Sequence, residues 1–295
     1  MTTTDPFRFV DDDQIGVVSF SGGRTSGYLL WRVLQAYEGE LPENIHVFFC
    51  NTGLEMPQTL DFVQACSDRW EVPIRWIEYR PGKPGAVLVD HRTASRNGEP
   101  FRLLVESPVK RRDGTWGRRP LPNPTSRVCT TNLKFRAKHR YLRHYLGVRE
   151  YVSAIGIRSD ESHRANHRFA EPGETKAFPL VDAGIDKQTV LAFWAWQPFD
   201  LGLPVDQNGD TIEGNCDMCF MKSAKKVSAL VQRYPERAEW WAQMEERAAA
   251  SDRATTFRQD RPTYREMIEA VQRGEPMDFG IFDDLTSCGS HGCTD

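Results

Sequence analysis

The feature that most constrains the fold of this 295-residue chain is the stretch 15–28, which reads IGVVSFSGGRTSGY. An apolar, β-branched run stops at Ser21-Gly22-Gly23, and a helical pattern begins almost at once. These residues predict a buried strand, a tight glycine turn and a helix N-terminus. Turn amides and the helix dipole favour an anion at such a junction, and Ser21, Thr25 and Ser26 add hydroxyl groups. A strand–turn–helix corner that binds nothing is the alternative, because short glycine motifs are common.

Strands and helices alternate through the first half of the chain. The patterns predict a helix over 25–38, a strand over 45–50, a helix from 57 to about 70 and a strand over 72–79. This alternation requires right-handed crossovers, so it predicts an α/β fold whose mainly parallel, twisted sheet carries helices on both faces. Ligands of such sheets collect at the carboxyl ends of the strands, where 21–26 and 51–53 both lie. Two polar turns on one rim favour a nucleotide-sized site.

The middle of the chain mixes irregular and regular patterns. Residues 80–127 are rich in Pro, Gly and Arg and show only a short strand at 86–89, and the basic stretch 110–119 is either a polyanion-binding loop or solvated surface charge. A helix is predicted over 133–146 and a fourth core strand over 151–157. Arg158 and Arg164, which follow that strand, each fit a phosphate or sulfate, or pair with Asp160 and Glu161.

The pattern becomes helical after Pro179, which divides the chain into an α/β domain over 1–180 and a mostly helical region over 181–295. Asp186 is a candidate helix cap, and further helical patterns run to about residue 250 and over 262–273.

Composition narrows the class of protein. The chain is 39% hydrophobic with a net charge of −3, which disfavours wholesale electrostatic wrapping of nucleic acid. It has no apolar run long enough to span a bilayer and no secretory signal pattern, so a cytoplasmic protein without membrane contact is expected. Seven cysteines make a complete disulfide framework implausible and favour metal or redox use.

Two cysteines form a CxxC motif, Cys216 and Cys219, and Cys129 stands far upstream. A CxxC alone fits zinc, a redox pair, an iron–sulfur cluster or chance, since thiolates two residues apart can reach one metal. Cys50, inside a strand, and Cys66, on a helix face, are interpreted as small core residues.

Five ordered segments resemble one family. The SGG turn, FFCNTGLEMPQTLDFV at 48–63, RVCTTNLK at 127–134, GIRSDESHR at 156–164 and GNCDMCF at 214–220 are similar to the PAPS-reductase branch of the PP-loop superfamily. That superfamily comprises N-type ATP pyrophosphatases and their sulfate-handling relatives. The resemblance covers about residues 15–222 and implies a HUP-like, adenine-nucleotide-binding fold.

The resemblance also implies roles for individual residues. It places the nucleotide against Ser19, Ser21, Gly22, Gly23, Arg24, Thr25, Ser26, Asn51, Thr52, Gly53, Gly156 and Arg164, and it places Arg158 and Glu161 at the reactive end. The superfamily loop usually reads SGGxDS, whereas here Thr25 replaces the aspartate and Arg24 fills the variable position, from which it could contact a phosphate. A carboxylate near the Mg²⁺ of ATP is therefore missing, so nucleotide binding is better supported than ATP cleavage.

The resemblance extends to the cysteines. Cys129, Cys216 and Cys219 match three of the four 4Fe–4S ligands of cluster-containing APS reductases. The fourth ligand would be Cys288 or Cys293, or one iron would stay open for sulfur, as in some tRNA-thiolating relatives. Structural zinc and unmetallated thiols are the alternatives. The tail 287–291 is similar to the mobile tail of sulfonucleotide reductases, which makes Cys288 a candidate nucleophile and His291 a possible aid.

Three functions follow as hypotheses. The first is ATP-pyrophosphatase-type activation of a substrate oxygen coupled to cluster-dependent sulfur transfer, with nucleic acid as a possible acceptor. The second is APS or PAPS reduction, in which Cys288 attacks the sulfate sulfur and a thioredoxin-like partner releases sulfite. The third is a non-catalytic nucleotide-binding component of a modification or defence complex, which the missing aspartate favours.

Overall fold

The computed structural model of the protein describes residues 5–166, 170–249 and 256–275. A six-stranded sheet forms its centre, and a small hairpin lies apart from it. The strands are β1 (Gly16–Phe20), β2 (Ile45–Asn51), β3 (Ile74–Tyr79), β4 (Ala86–Val89), β5 (Val109–Lys110), β6 (Trp116–Gly117), β7 (Tyr151–Ile155) and β8 (Glu174–Ala177); β5 and β6 form the hairpin.

The sheet reverses its strand order beside β1. The order is β4-β3-β2-β1-β7-β8, and every neighbouring pair is parallel except β3 and β4. The chain runs outward from β1 to β4 and then returns to the other side of β1 as β7. Such a switch point opens a crevice at the carboxyl ends of the two strands, which is where ligands bind to open α/β sheets. The predicted mainly parallel sheet is confirmed.

Helices cover both faces of the sheet, as predicted. The described α-helices are α1 (Arg24–Ala36), α2 (Pro57–Arg69), α3 (Glu99–Glu106), α4 (Ala137–Tyr145), α5 (Pro179–Asp182), α6 (Lys187–Ala195), α7 (Ala224–Arg233), α8 (Pro235–Ala249) and α9 (Tyr264–Arg273). One core joins α1, α2 and α6 to Val18 and Phe49, and another joins α4 to Val17 and Phe48. Successive strand residues point to opposite faces, so each apolar run supplies both cores.

Several elements differ from the sequence prediction. Residues 80–127 are not irregular throughout, because they contain α3 and the β5–β6 hairpin. The predicted helix 133–146 begins instead as a π-helical turn, Thr130–Arg136, which continues into α4. The sequence of β8, ETKA, has no apolar run, and its pairing with β7 is what makes it a strand.

The cores do not divide the chain at residue 180. Trp194 of α6 belongs to the core of the sheet, where its indole Nε1 donates to the carbonyl oxygen of Arg24 (2.8 Å). Phe101 of α3 packs instead with the C-terminal helices, against Trp241 and Phe257. The predicted helical C-terminal region is present, yet its packing reaches back into the first half of the chain.

No helix in the described part of the chain is both long and apolar enough to cross a membrane.

Candidate functional site at the switch point

The glycine turn after β1 forms one wall of an open cavity, which we call the turn cavity. Gly22 adopts a left-handed φ of 85°, and Gly23 is the N-cap of α1. No side chain caps this helix and its first turn contains no acidic residue. The first N–H groups of a helix have no intrahelical partner, so this end of α1 is suited to an anion.

The turn cavity encloses about 540 Å³ of empty space, including its open mouth. Its lining includes residues 21–25 together with Thr59, Arg158 and Lys187. The hydroxyl oxygen of Thr59 is buried and has no hydrogen-bond partner among the described residues. A buried polar atom normally has a partner, so this hydroxyl is available to a ligand in the cavity.

Arg158 is held over the glycine turn. Its Nη1 donates to Thr25 Oγ1 (3.0 Å), and its Nε donates to Asp160 Oδ1 (3.1 Å). Gly156, at the end of β7, lies against the backbone of Ser26, where a Cβ would be 3.4 Å from Cα. The structure thus brings the segment 156–164 onto the glycine turn, as the sequence predicted. The residue that replaces the usual aspartate, Thr25, anchors this arginine.

Glu161 positions the arginines around it. Its Oε1 accepts from the backbone N–H of Arg158 (3.3 Å), and Arg164 donates to its Oε2. The carboxylate is therefore engaged by Arg158 and Arg164 on the same short 3₁₀ segment, Ser159–Arg164. In this arrangement Glu161 orients the cationic wall of the cavity.

Arg24 lines the turn cavity, and its guanidinium is held by residues that follow α6. Its Nε donates to Asp200 Oδ1 (2.7 Å), while its Nη1 and Nη2 donate to Thr211 Oγ1 (3.2 Å) and to the carbonyl oxygen of Leu203 (3.1 Å). These hydrogen bonds of the Arg24 guanidinium link the glycine turn to residues 200–211. The extra cation of the cavity is Lys187, whose Nζ donates to Asp210 Oδ1 (2.6 Å). The sequence analysis missed Lys187, which carries no motif.

A second cavity, which we call the strand cavity, lies on the other side of the turn, between β1, β2 and β7. It encloses about 620 Å³ and shares Ser21 with the turn cavity. Its walls combine apolar and polar side chains: Ser19, Phe20, Ser26, Phe48, Cys50, Lys134, Phe135, Lys138 and Ile155. The strand cavity, with its mainly apolar walls, suits a base and its sugar, and the turn cavity beside it suits phosphates. The two cavities together therefore match the two parts of a nucleotide.

A buried lysine joins three strands beneath the strand cavity. Lys138 Nζ donates to Ser19 Oγ (3.2 Å), Ser153 Oγ (2.9 Å) and Glu174 Oε1 (3.0 Å). Burial opposes ionisation of Glu174, but Lys138 and Ser153 outweigh it and hold its pKa below the usual value. The sequence analysis missed this network, although Lys134 and Lys138 stand four residues apart in a helical pattern.

The turn after β2 is closed on itself. Asn51 Nδ2 donates to Glu78 Oε1 (2.6 Å), and Asn51 Oδ1 accepts from the N–H of Gly53 (3.1 Å). Glu55 accepts from both the N–H (3.0 Å) and the hydroxyl (2.8 Å) of Thr52. Asn51, Thr52 and Gly53 line neither cavity. Their predicted contact with a nucleotide stays a prediction, and in this structure their polar groups stabilise the loop.

The CxxC segment packs on this closed turn. The Sγ of Cys216 and the Oγ1 of Thr52 are 3.3 Å apart, and the N–H of Asp217 donates to the carbonyl of Leu54 (2.8 Å). Cys216 and Cys219 are buried, and the half-buried Cys129 packs on the same core. Burial, with a smaller contribution from Glu55, raises the pKa of Cys216 to about 12.

These cysteines do not form a ready metal site. Among the described residues, no three His, Cys, Asp or Glu side chains are grouped so that they could hold a metal ion. As placed, Cys129, Cys216 and Cys219 are therefore not brought together as the ligands of one 4Fe–4S cluster or one zinc ion. Cys288 and Cys293, the candidate nucleophile and candidate fourth ligand, lie outside the described residues, as does His291.

Comparison with known proteins relates the chain to a solved structure and to a phage protein. No family model matches the chain. The solved U34-tRNA thiolase NcsA from Methanococcus maripaludis, with its 4Fe–4S cluster, matches 98% of this chain and 84% of its own at 11% identity, with a TM-score of 0.36. That superposition is too loose to transfer anything to this protein.

A sequence relative is closer. The uncharacterized nin region protein ORF290 of Escherichia phage lambda is 34% identical over 221 residues, which is 72% of this chain and 68% of the relative. The protein therefore belongs to the family of the lambda nin region protein ORF290.

Proposed function

We propose that this protein is an adenine-nucleotide-binding enzyme of the PP-loop superfamily, from its PAPS-reductase-like branch. The observation that carries the proposal is the turn cavity at the switch point of the sheet. There an uncapped helix N-terminus, Arg158 and the unpartnered hydroxyl of Thr59 surround one space. Hydrogen-bond donors and positive charge on one cavity suit the phosphates or sulfate of a nucleotide.

The two cavities suggest how the nucleotide would lie. The apolar strand cavity, with Phe48, Phe135 and Ile155, suits the adenosine, and the turn cavity suits the charged groups. Ser21 lines both cavities, so a nucleotide placed across it would occupy the two together. Arg158, kept in place by Thr25 and Asp160, would contact the phosphate or sulfate oxygens.

In the proposed reaction a substrate oxygen attacks the α-phosphate of ATP and pyrophosphate leaves, and a sulfide-level sulfur donor then attacks the activated carbon and displaces AMP, with nucleic acid as the acceptor class. The missing aspartate at Thr25 means that any Mg²⁺ would be bound by the nucleotide phosphates and water rather than by this position. A 4Fe–4S cluster on Cys129, Cys216 and Cys219 is implied only by the resemblance to cluster-containing APS reductases, and no step of the proposed reaction depends on it.

Nucleotide binding is tested by calorimetry of the full chain with ATP, ADP, APS, PAPS and adenosine. Arg158→Gln should weaken binding of the charged nucleotides about tenfold or more, because it removes a charge-assisted hydrogen bond, and should leave adenosine binding unchanged. Arg96→Gln, an exposed arginine outside both cavities, is the matched control. Equal nucleotide binding by Arg158→Gln and the wild type, or no binding by the wild type, would refute the proposal.

Product analysis separates the activities. AMP and pyrophosphate from ATP support the activation step, whereas sulfite from APS or PAPS with thioredoxin, abolished by Cys288→Ser, would identify a sulfonucleotide reductase instead. Binding without either product would identify a non-catalytic component. Anaerobic purification and cluster reconstitution followed by a visible spectrum test the cluster separately, and a colourless protein would rule it out.

A further inference from the structure

The β5–β6 hairpin presents an aromatic side chain and cations that the nucleotide site does not use. Its turn is fixed by hydrogen bonds from the N–H of Arg111 to the carbonyl of Thr115 (2.7 Å) and from the N–H of Thr115 to Asp113 Oδ1 (2.9 Å). Lys110 lies directly opposite Trp116 in the ribbon. Directly opposed residues share one face, so the ammonium and the indole lie side by side, and Trp116 is 67% exposed.

The charge of this hairpin contrasts with that of the whole chain. Residues 109–119 contain five Lys or Arg and one Asp, whereas the chain has a net charge of −3. Arg111 covers Gly117 on the opposite face, and Arg118 Nη1 donates to the carbonyl of Arg247 (3.3 Å). Lys110 and Arg112 are exposed and make no ion pair with any residue that the structure describes. The hairpin therefore presents two available cations, Lys110 beside Trp116 and Arg112 in the turn that follows β5.

The hairpin is connected through the chain to the turn after β2 and to the strand cavity. α3 leads into it, and the N–H of Gly98, the N-cap of α3, donates to the carbonyl of Gly53 (2.8 Å). The eight residues of α3 span about 12 Å. After the hairpin the chain continues to Phe135, which lines the strand cavity. The hairpin thus lies between two segments of the chain that reach the carboxyl edge of the sheet.

We propose that the hairpin face formed by Lys110, Arg112 and Trp116 binds single-stranded nucleic acid. That this strand is the acceptor of the reaction rests on the proposed function. An unpaired base would stack on the indole while Lys110 and Arg112 contact the flanking phosphates. Stacking of bases on aromatic side chains beside cations is how single strands are bound without sequence readout. A duplex hides its base faces, so an exposed indole favours a single strand.

Fluorescence anisotropy of labelled mixed-sequence oligonucleotides, about 20 nucleotides long to exceed the site size of one binding module, tests this. Single-stranded DNA, single-stranded RNA and duplex DNA are titrated in parallel, which distinguishes the two chemical forms of the strand. Trp116→Ala should weaken single-strand binding about tenfold, and Trp116→Phe should retain most of it because the ring still stacks. Lys110→Gln with Arg112→Gln should lower the slope of log K against log salt by about 1.4, or about 0.7 for each phosphate contact.

The Trp116 variant and the double Lys110/Arg112 variant each have a control that makes the same kind of change elsewhere in the chain. Trp196, which is 88% exposed, lies outside the hairpin directly after α6, and Trp196→Ala removes an indole that is also largely exposed. Arg8→Gln with Arg75→Gln removes two charges near the amino ends of the strands, opposite the site. Both control variants should bind the oligonucleotides as the wild type does.

The inference would be overturned if Trp116→Ala bound the oligonucleotides as tightly as the wild type does, or if the wild type did not bind them. It would also be overturned if poly-glutamate competed as strongly as the oligonucleotide, which would identify the ligand as an acidic polypeptide. Failure of the proposed nucleotide site can be distinguished from failure of the hairpin as a binding surface. Arg158→Gln should lose ATP and keep the oligonucleotide, whereas Trp116→Ala should lose the oligonucleotide and keep ATP.

Discussion

Two glycine-containing turns, 21–26 and 51–55, follow neighbouring parallel strands on one edge of the sheet. The first lines the turn cavity and precedes a helix that no side chain caps. In the second, Glu55 accepts hydrogen bonds from the backbone of Thr52 and Leu54, at the position where a bound anion would otherwise sit.

The difference shows that glycine and polar residues at a sheet edge are not sufficient for a ligand site. A turn is available to a ligand only if its donors are not already satisfied, and a buried carboxylate within the second turn satisfies them. Because burial raises the pKa of Glu55, its ionised form depends on the hydrogen bonds of Thr52 and on the nearby charge of Lys134. In the first turn Ser21 Oγ donates to Ser26 Oγ, and Ser26 Oγ donates to the carbonyl oxygen of Gly23. Among the described residues no carboxylate accepts from the backbone N–H groups of this turn, so these groups are available to a ligand.

The largest expected effect is on the alkylation rate of Cys216, whose thiol contacts Thr52 in the closed turn. With a pKa of about 12, Cys216 should alkylate about a thousandfold more slowly near pH 8 than an ordinary thiol of pKa about 8.5, because only the thiolate reacts. The rate should rise about tenfold for each pH unit up to its pKa. Iodoacetamide labelling followed by peptide mass spectrometry measures it, with urea-unfolded protein as the control.

Fast native labelling of Cys216 would show that the second turn is open. Protection that disappears after treatment with a chelator and an oxidant would show that a metal, rather than burial, shields the thiol. Protection that persists would support the closed turn described above.

The next largest effect tests the open turn. An alanine Cβ at Gly22 would lie 2.7 Å from the Cγ2 of Thr59 and would be strained by the φ of 85°. Gly22→Ala should therefore destabilise the fold by about 1–3 kcal/mol more than Gly39→Ala, which has a similar φ but open space around it. Nucleotide affinity should fall about tenfold or more, because Thr59 is displaced from the cavity.

Gly53→Ala is the comparison within the closed turn. Its Cβ would lie 3.0 Å from the backbone nitrogen of Gly98, so it should also lower the free energy of unfolding. It should leave nucleotide affinity unchanged in the folded protein. The reverse pattern, in which Gly53→Ala loses the nucleotide and Gly22→Ala keeps it, would exchange the roles of the two turns.

The smallest effect tests the brace of the closed turn. Asn51→Ala removes the donor to Glu78 and the acceptor of the Gly53 N–H, both buried, which should cost about 1–3 kcal/mol of unfolding free energy in urea titrations. Asn44→Ala, whose two backbone acceptors are reached by water, should cost less. Nucleotide affinity should match the wild type, and a parallel loss of affinity would mean that Asn51 contacts the ligand.

Much of the fold could be predicted from local patterns. The strands β1 to β4 and β7, and the glycine turn before α1, were predicted within a few residues, because apolar runs and capping residues act locally. Asp186 was predicted as a cap, and it accepts from the N–H of Thr189 (2.8 Å). The elements that were missed include α3, the β5–β6 hairpin and β8, all of them short, and α3 and β8 owe their structure to packing and pairing with distant segments.

The residues of the candidate site could likewise be predicted only in part. The sequence identified Arg158, Glu161, Gly156 and the glycine turn as neighbours, and the structure brings them together. It could not indicate that Arg24 bonds to Asp200, 176 residues away, or that Lys138 joins Ser19 to Glu174. Such partners have no sequence spacing that could predict them.

The sequence by itself determined the alternation of strands and helices, the edge of the sheet on which polar turns collect, and the family resemblance. Only the tertiary structure decided which of the two turns is open, where the cores divide, and that the CxxC segment packs on the closed turn. The physical reason is that periodicity and turn chemistry are properties of neighbouring residues. Satisfaction of buried donors and acceptors depends on atoms that meet only after the chain has folded.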